Sequence, residues 1–260
     1  MKNIIEKAWS ENFIDINIKN TILDTINHLD SGLLSVCEKN NNKWIINQWI
    51  KKAILLYFKI SPNNFLKGGY FDKIPLKFQS WTAIDFEKAQ LRVVPGAIIR
   101  YGVYLGLQSI IMPSFINIGA RIGQKTMIDI NATIGSCAYI GDEVHIGANA
   151  VIGGVLEPIE EEPVIIEDQV FVGASATITS GILVSQGAVI APGLHLSAST
   201  KIYDVKTGTI NYGIIPPEAV VIPGTLYKTS EFGLNAAIIT KYVDSKTKSK
   251  IAINDILRLP

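Results

Sequence analysis

Between Ile98 and Ile202 an aliphatic or aromatic residue returns every six positions. The series runs Ile98, Tyr104, Ile110, Ile116, Ile122, Ile128, Ile134, Ile140, Ile146 and Ile152. After a gap it resumes as Ile166, Val172, Ile178, Val184, Ile190, Leu196 and Ile202. The residue four places later is usually small or slim, as at Ala120, Thr126, Ala132, Ala138, Ala150, Ala176 and Ala188. Gly often follows the aliphatic residue, for example at Gly123, Gly135, Gly141, Gly147, Gly153 and Gly173. A period of six is neither the 3.6 of a helix nor the 2 of a plain strand. It marks a hexapeptide parallel β-helix, in which each unit makes one short strand and one corner. The aliphatic side chain fills the axis and the small one lets the chain turn inside it. Three units close one triangular coil, so residues eighteen apart stack, and the stretch predicts about five to six coils.

One interruption is clear. Ile152 to Ile166 is longer than a unit by eight residues, and the extra segment holds Glu157-Pro158-Ile159-Glu160-Glu161-Glu162-Pro163. Its prolines stiffen it and its four carboxylates keep it out of a core. A loop projecting from a regular solenoid is a usual place for function, although a solvated acidic bulge would read the same way.

The flanks follow other rules. Residues 1–60 show helical spacing at Asn3–Trp9, Asn20–Leu29 and Gln48–Ile60, stopped by Ser31-Gly32 and by Ser61-Pro62. Leu33–Glu38 and Lys43–Asn47 flank Asn40-Asn41-Asn42 as a hairpin. Residues 61–91 carry little periodicity and read as a linker packed on neighbouring surfaces. Beyond Ile202, Tyr203–Gly213 reads as a hairpin with a Thr207-Gly208 turn, and Ile215–Gly224 as a last coil. Two strand-like runs, Ala236–Val243 and Lys250–Ile253, surround the polar turn Ser245–Lys248 and would close the open end that a solenoid must cap. The expected division is 1–91 for an α-rich N-terminal domain and linker, 92–224 for the β-helix with an inserted loop 156–163, and 225–260 for a β cap.

The formal net charge is +1, so no field argues for nucleic acid or an anionic membrane surface as partner. No apolar run approaches about 18 residues, and the amphipathic start MKNIIEKAW lacks a signal-peptide core, so no membrane association is expected. The two cysteines, Cys37 and Cys137, are far apart in the chain, which suits a reducing cytoplasm. Cys137 sits inside the repeat as a small buried hydrophobe; a reactive thiol is the other reading.

Two residues stand out for chemistry. Asp129 occupies the position that mostly holds Gly, and the axis has no room for a carboxylate, so it must point off the wall. There it could hold an amine or take its proton, or be only a solvated corner. Arg92, just before the first coil, has a planar fork suited to a substrate carboxylate, or to a nearby acid of the same chain. His28, His145 and His195 are scattered, no pairing marks one as a base, and their spacing does not suit a zinc site. No metal or permanently bound cofactor is expected.

Coils of this kind resemble the left-handed β-helix of the hexapeptide acyltransferases; the hand comes from that resemblance, since parallel crossovers are ordinarily right-handed. The fold class expected is therefore mainly β, a left-handed parallel β-helix with a small helical N-terminal domain and a short β C-terminal cap. The resemblance narrows further. Phe71–Pro75, Leu91-Arg92-Val93-Val94-Pro95, Ile111-Met112-Pro113-Ser114, Gly135-Ser136-Cys137-Ala138, Ile152–Pro158, Ile165-Ile166-Glu167-Asp168 and Ile202-Tyr203-Asp204 followed by Thr207-Gly208 closely resemble the tetrahydrodipicolinate N-succinyltransferase family, over almost the whole chain.

The resemblance implies a cytoplasmic homotrimer with active sites between β-helices. It implies transfer of succinyl from succinyl-CoA, as co-substrate, to the amine of a ring-opened amino dicarboxylate in lysine and diaminopimelate synthesis. It makes Asp129 the catalytic acid–base group and Arg92, Asp129, Ser136 and Glu157 the substrate-binding residues. Gly154, Ala174, Ser175, Ala191 and Lys201 fall where the acyl-CoA would lie. A pantetheine arm can bond wall backbone as an added strand, which agrees with the lack of a phosphate-binding glycine loop. Two segments depart from the family pattern. Ile130-Asn131 stands where the family has Thr-Trp, and Ser175-Ala176-Thr177 where it has Arg-Ser-Glu, so an active-site acid is missing at Thr177. Two alternatives therefore stay open: a diverged relative using acetyl-CoA or another amino-acid acceptor, and a non-catalytic β-helical binding protein.

Overall fold

The computed structural model describes residues 1–41, 43–179 and 181–244. The repeat folds as a three-walled prism of two-residue strands. The first wall stacks Arg92–Val93, Ile110–Ile111, Met127–Ile128, His145–Ile146, Phe171–Val172 and Val189–Ile190 in parallel. The second stacks Ile98–Ile99, Phe115–Ile116, Thr133–Ile134, Val151–Ile152, Thr177–Ile178 and His195–Leu196. The third stacks Tyr104–Leu105, Arg121–Ile122, Tyr139–Ile140, Ile165–Ile166, Leu183–Val184 and Ile214–Ile215. The second residue of each pair points to the axis and is buried, except Val93 at the open end, which is half-buried; the small corner residues Ala120, Ala132, Ala138, Ala150, Ala176 and Ala188 pack beside this column. Each fully buried aliphatic side chain is worth about 1.5–3 kcal/mol, so the axis carries the stability of the coil.

The beat of six is right from Ile116 onward and one residue out before it. The axis positions of the first coil are Ile99, Leu105 and Ile111, not Ile98, Tyr104 and Ile110. The cause is the corner Met112-Pro113-Ser114, which spans three residues where the others span four. Stacked partners across it, Ile98 with Phe115 and Tyr104 with Arg121, are accordingly seventeen residues apart rather than eighteen.

Helices α1 (Lys2–Glu11), α2 (Ile16–Ser31) and α3 (Gln48–Ile60) form the N-terminal region. Asp15 caps α2 by accepting from the Ile18 N–H at 2.7 Å, and Gly32 ends it with φ 78°. Strands Cys37–Asn40 and Lys43–Ile46 pair as a hairpin where one was expected, but its first strand lies later than Leu33–Glu38 and takes in Asn40, which pairs with Lys43. This region covers the third wall. Ile5, Ile22, Ile50 and Ile54 share one core with Ile118, Cys137 and Ile165 of the repeat. Residues 61–91 are more ordered than a linker. Asn64–Leu66 pairs with Tyr70–Asp72 around Gly68-Gly69, and α4 spans Ala83–Ala89. The helix buries none of its residues, so it shows no apolar stripe; the Thr82/Asp85 capping box and the Phe78, Trp81 and Phe86 rings hold it.

At the far end the hairpin Ile202–Asp204 with Thr209–Asn211 forms as expected. The strand Ala219–Tyr227 pairs with Val189–Ile190 of the first wall and then with Gly233–Tyr242. Gly233–Tyr242 also pairs with Ile202–Asp204, and Ile202, Val221, Ala237 and Ile239 close the axis. The run Lys250–Ile253 and the turn at 245–248 lie outside the described residues.

Candidate active site

Each regular corner holds its third residue in the left-handed region, among them Asn131 at φ 57°, Cys137 at φ 66° and Ser175 at φ 57°. Asn tolerates that conformation better than most side chains, so the Asn131 departure suits its backbone. Asp129 opens the Asn131 corner, at the edge between the first and second walls. Its N–H donates to the Ile146 carbonyl at 2.9 Å, which fixes the backbone. Ile128 and Ala132 fill the axis beneath it, so the carboxylate points outward and is half-buried. Oδ1 accepts from the Ile130 N–H at 2.7 Å. Oδ2 lies 3.9 Å from His145 Nε2. His145 stands on the outer face of the first wall between Met127 and Phe171, its ring 5.0 Å from the Phe171 ring at an interplanar angle of 53°.

Most of the other sequence-predicted residues fall on two edges of the prism. Ala174 and Ser175 lie on the Asp129 edge two coils along the axis, and Ala191 three coils along. Backbone bonds tie these corners together: the Asn149 N–H donates to Ile130 O, Ser175 N–H to Ala148 O, and Gly193 N–H to Ala174 O. Arg92 is exposed on the first wall, two strands before Met127–Ile128, about 10 Å along the axis. Ser136 and Gly154 lie together on the next edge, between the second and third walls. A Cβ on Gly154 would come within 2.0 Å of the Ser136 nitrogen, so close approach of two chain segments already demands glycine there. Glu157 is exposed on the inserted loop that follows, and Lys201 leads into the closing strand Ile202–Asp204. Thr177 faces out of the second wall directly beside His195. One chain therefore brings Asp129 to His145, and keeps Ser136, Gly154 and Glu157 on a different edge from both.

Two concavities lie elsewhere. One of about 450 Å³ is lined by Leu33, Glu38, Lys39, Arg121 and Tyr139, where the N-terminal region meets the third wall. Another of about 480 Å³ is lined by Glu161, Glu162, Thr179, Gly181 and Ser197–Ser199 beside the loop. Neither surrounds Asp129.

Comparison with known proteins agrees with this architecture. Residues 1–60 match the family model "Tetrahydrodipicolinate N-succinyltransferase N-terminal". Residues 119–154 match "Bacterial transferase hexapeptide (six repeats)" and 163–198 match "Hexapeptide repeat of succinyl-transferase". A 2,3,4,5-tetrahydropyridine-2,6-dicarboxylate N-succinyltransferase of Sodalis glossinidius is 45% identical over 249 residues, covering 94% of this chain and 91% of the relative. The enzyme of that name from Acinetobacter baylyi is 44% identical, covering 99% of this chain and 98% of the relative. The chain belongs to the tetrahydrodipicolinate N-succinyltransferase family. A Campylobacter jejuni crystal structure, named as a candidate 2,3,4,5-tetrahydropyridine-2-carboxylate N-succinyltransferase, shares the fold at TM-score 0.58 and 16% identity, over 90% of this chain and 64% of that one. The coil is the left-handed β-helix of the N-succinyltransferase family.

Within this N-succinyltransferase chain, His145 is the residue that sequence reasoning passed over. The signal was the eighteen-residue stack: His145 sits above Met127, two residues before Asp129, on the wall that ends at the Asp129 corner.

Proposed function

We propose that this chain transfers a succinyl group from succinyl-CoA to the amine of ring-opened tetrahydrodipicolinate, in diaminopimelate and lysine synthesis. The observation that carries the reading is 44–45% identity, across nearly the full length, to relatives named for that reaction. In the mechanism, the amine attacks the thioester carbonyl in one step. Asp129, outward and half-buried, accepts or steers the amine proton. Arg92 orients the dicarboxylate through its planar fork. Backbone N–H groups of the wall polarise the thioester oxygen, and the CoA arm runs on toward Ala174, Ser175 and Ala191.

The placement of Ser136, Gly154 and Glu157 supports a homotrimer. They stand across the second wall from Asp129, so a substrate meeting both sets bridges two copies. The third wall is covered by the chain's own helices, whereas residues such as Val151 on the second wall are exposed and available to a neighbour. No described helix is long and apolar enough to cross a membrane, and a cytoplasmic location is part of the proposal.

The test is release of CoA thiol by the purified protein given tetrahydrodipicolinate, with succinyl-CoA and acetyl-CoA in parallel. Release with succinyl-CoA is expected. Release with acetyl-CoA alone would replace the reading with the diverged transferase, and silence with both would leave the binding protein.

A further inference from the structure

The Asp129–His145 pair has a geometry that the mechanism above does not use. Asp129 Oδ1 is tied to the Ile130 N–H, which fixes the carboxylate and leaves Oδ2 facing the imidazole. The 3.9 Å between Oδ2 and Nε2 is too long for a direct hydrogen bond. It matches the gap that one nitrogen spans when it donates to both atoms at about 2.8–3.0 Å. Phe171 lies against the ring on the next rung, which limits its rotation. Both groups are half-buried at the same edge, with side-chain exposures of 20% for His145 and 28% for Asp129, so an amine reaches them from outside.

We propose that His145 takes the amine proton, and that Asp129 anchors the amine and balances the imidazolium. This inference rests on the N-acyltransferase reading and assigns a further catalytic residue within it. The neutral amine donates one hydrogen to Oδ2 and one to Nε2, which aims its lone pair at the thioester. The lone pair forms the C–N bond, and the carbonyl π pair moves to oxygen. As the carbonyl reforms, the C–S bond breaks and its electrons leave with sulfur. The amine proton passes to Nε2 and from there to the CoA thiolate, so His145 ends neutral and CoA leaves as thiol. No metal or redox partner enters the balance. The ionisable side chains on the corners before this strand and its two neighbours are Lys125, Asp142, Glu143, Glu167 and Asp168. Lys125 and Glu143 face each other at 3.8 Å, and Glu167 is held by Lys39.

The experiment compares wild type, His145→Gln and Asp129→Asn by CoA release with succinyl-CoA and tetrahydrodipicolinate, with oligomeric state checked for each. His145→Gln is expected to lower kcat about 10²–10⁴-fold, the range of a lost general base, with KM for the acceptor nearly unchanged. Asp129→Asn is expected to raise that KM and to move the acidic limb of the kcat–pH profile to lower pH, because the imidazolium loses its anion. Imidazole added to His145→Ala should restore part of the rate. Wild-type kcat in His145→Gln overturns the inference while the functional reading stands. Should His145→Gln fail to fold, an acidic limb left in place by Asp129→Asn overturns it. A wild-type chain silent with these substrates removes the functional reading, and this assignment with it.

Discussion

Lys51 donates from Nζ to the carbonyl of Ile159 at 2.9 Å, across more than a hundred residues of chain. The same ammonium reaches Glu161 O at 2.9 Å and Pro158 O at 3.3 Å, and the residue is fully buried in α3. Burial pulls its pKa below the ordinary lysine value, against the opposing pull of the Glu160 and Glu161 carboxylates. The middle of the acidic loop is thus fastened to the N-terminal region of its own chain. Lys51→Met keeps the volume and removes the three donors. It should cost about 2 kcal/mol, since hydrogen bonds to a charged group are worth roughly 1.5–3 kcal/mol each, less the charge's own burial cost. Urea unfolding measures the loss, and limited proteolysis should cut first between Leu156 and Pro163.

Arg92 is exposed and shares its wall with His145. If its fork holds a substrate carboxylate, Arg92→Lys keeps the charge and loses the two-pronged geometry. KM for the acceptor should rise about tenfold, the equivalent of 1.4 kcal/mol, with kcat less affected. Initial rates at varied acceptor concentration check this. An unchanged KM would return Arg92 to a structural role.

Cys37 and Cys137 are both buried, and Cys37 Sγ points at the Cys137 carbonyl at 3.7 Å. Burial pushes the Cys137 thiol up to about 12 and raises Cys37 as well. Thiolate, not thiol, is the reactive form. The native protein should not react with a thiol dye at pH 8, and should yield two thiols per chain once unfolded in guanidinium. The same inertness would keep a CoA-release assay free of background.

Glu167 fastens the N-terminal hairpin to the third wall. It accepts from Lys39 Nζ at 2.7 Å, Trp44 Nε1 at 2.9 Å and the Gln186 N–H at 3.0 Å. Burial would raise its pKa, but these bonds outweigh it and hold the carboxyl below the ordinary value. A folded pKa below the unfolded one gives stability that is present above the unfolded pKa and lost as pH falls through the folded one. Glu167→Gln should therefore be less stable than wild type near neutrality. The gap should close in acid below the usual carboxylate range. Urea midpoints at the two pH values test the sign.

The coil was legible because a period of six leaves few ways to bury its aliphatic residues. The helices of residues 1–60 were legible from their apolar stripes, and the acidic loop from its broken beat. Helix α4 escaped because it has no buried face; only the Thr82-Ala83-Ile84-Asp85 spacing announced it. Asp129 could be singled out because a carboxylate interrupted a column of glycines. His145 could not, because its meaning depends on a neighbour in space. The sixteen residues from Asp129 to His145 match no local period, and the pair appears only once the rungs are stacked. The split of Ser136 and Asp129 between two edges was hidden for the same reason.

The three-residue corner at Met112-Pro113-Ser114 acts like a stacking fault. Every rung before it is displaced by one in sequence and by nothing in space. A template of strict sixes laid along the chain loses phase there, and the repeat family model begins at 119, beyond the fault. Modules transplanted between positions after Ile116 would keep their inside and outside. A module carried across the fault without removing one residue would turn its axis-filling isoleucines toward water.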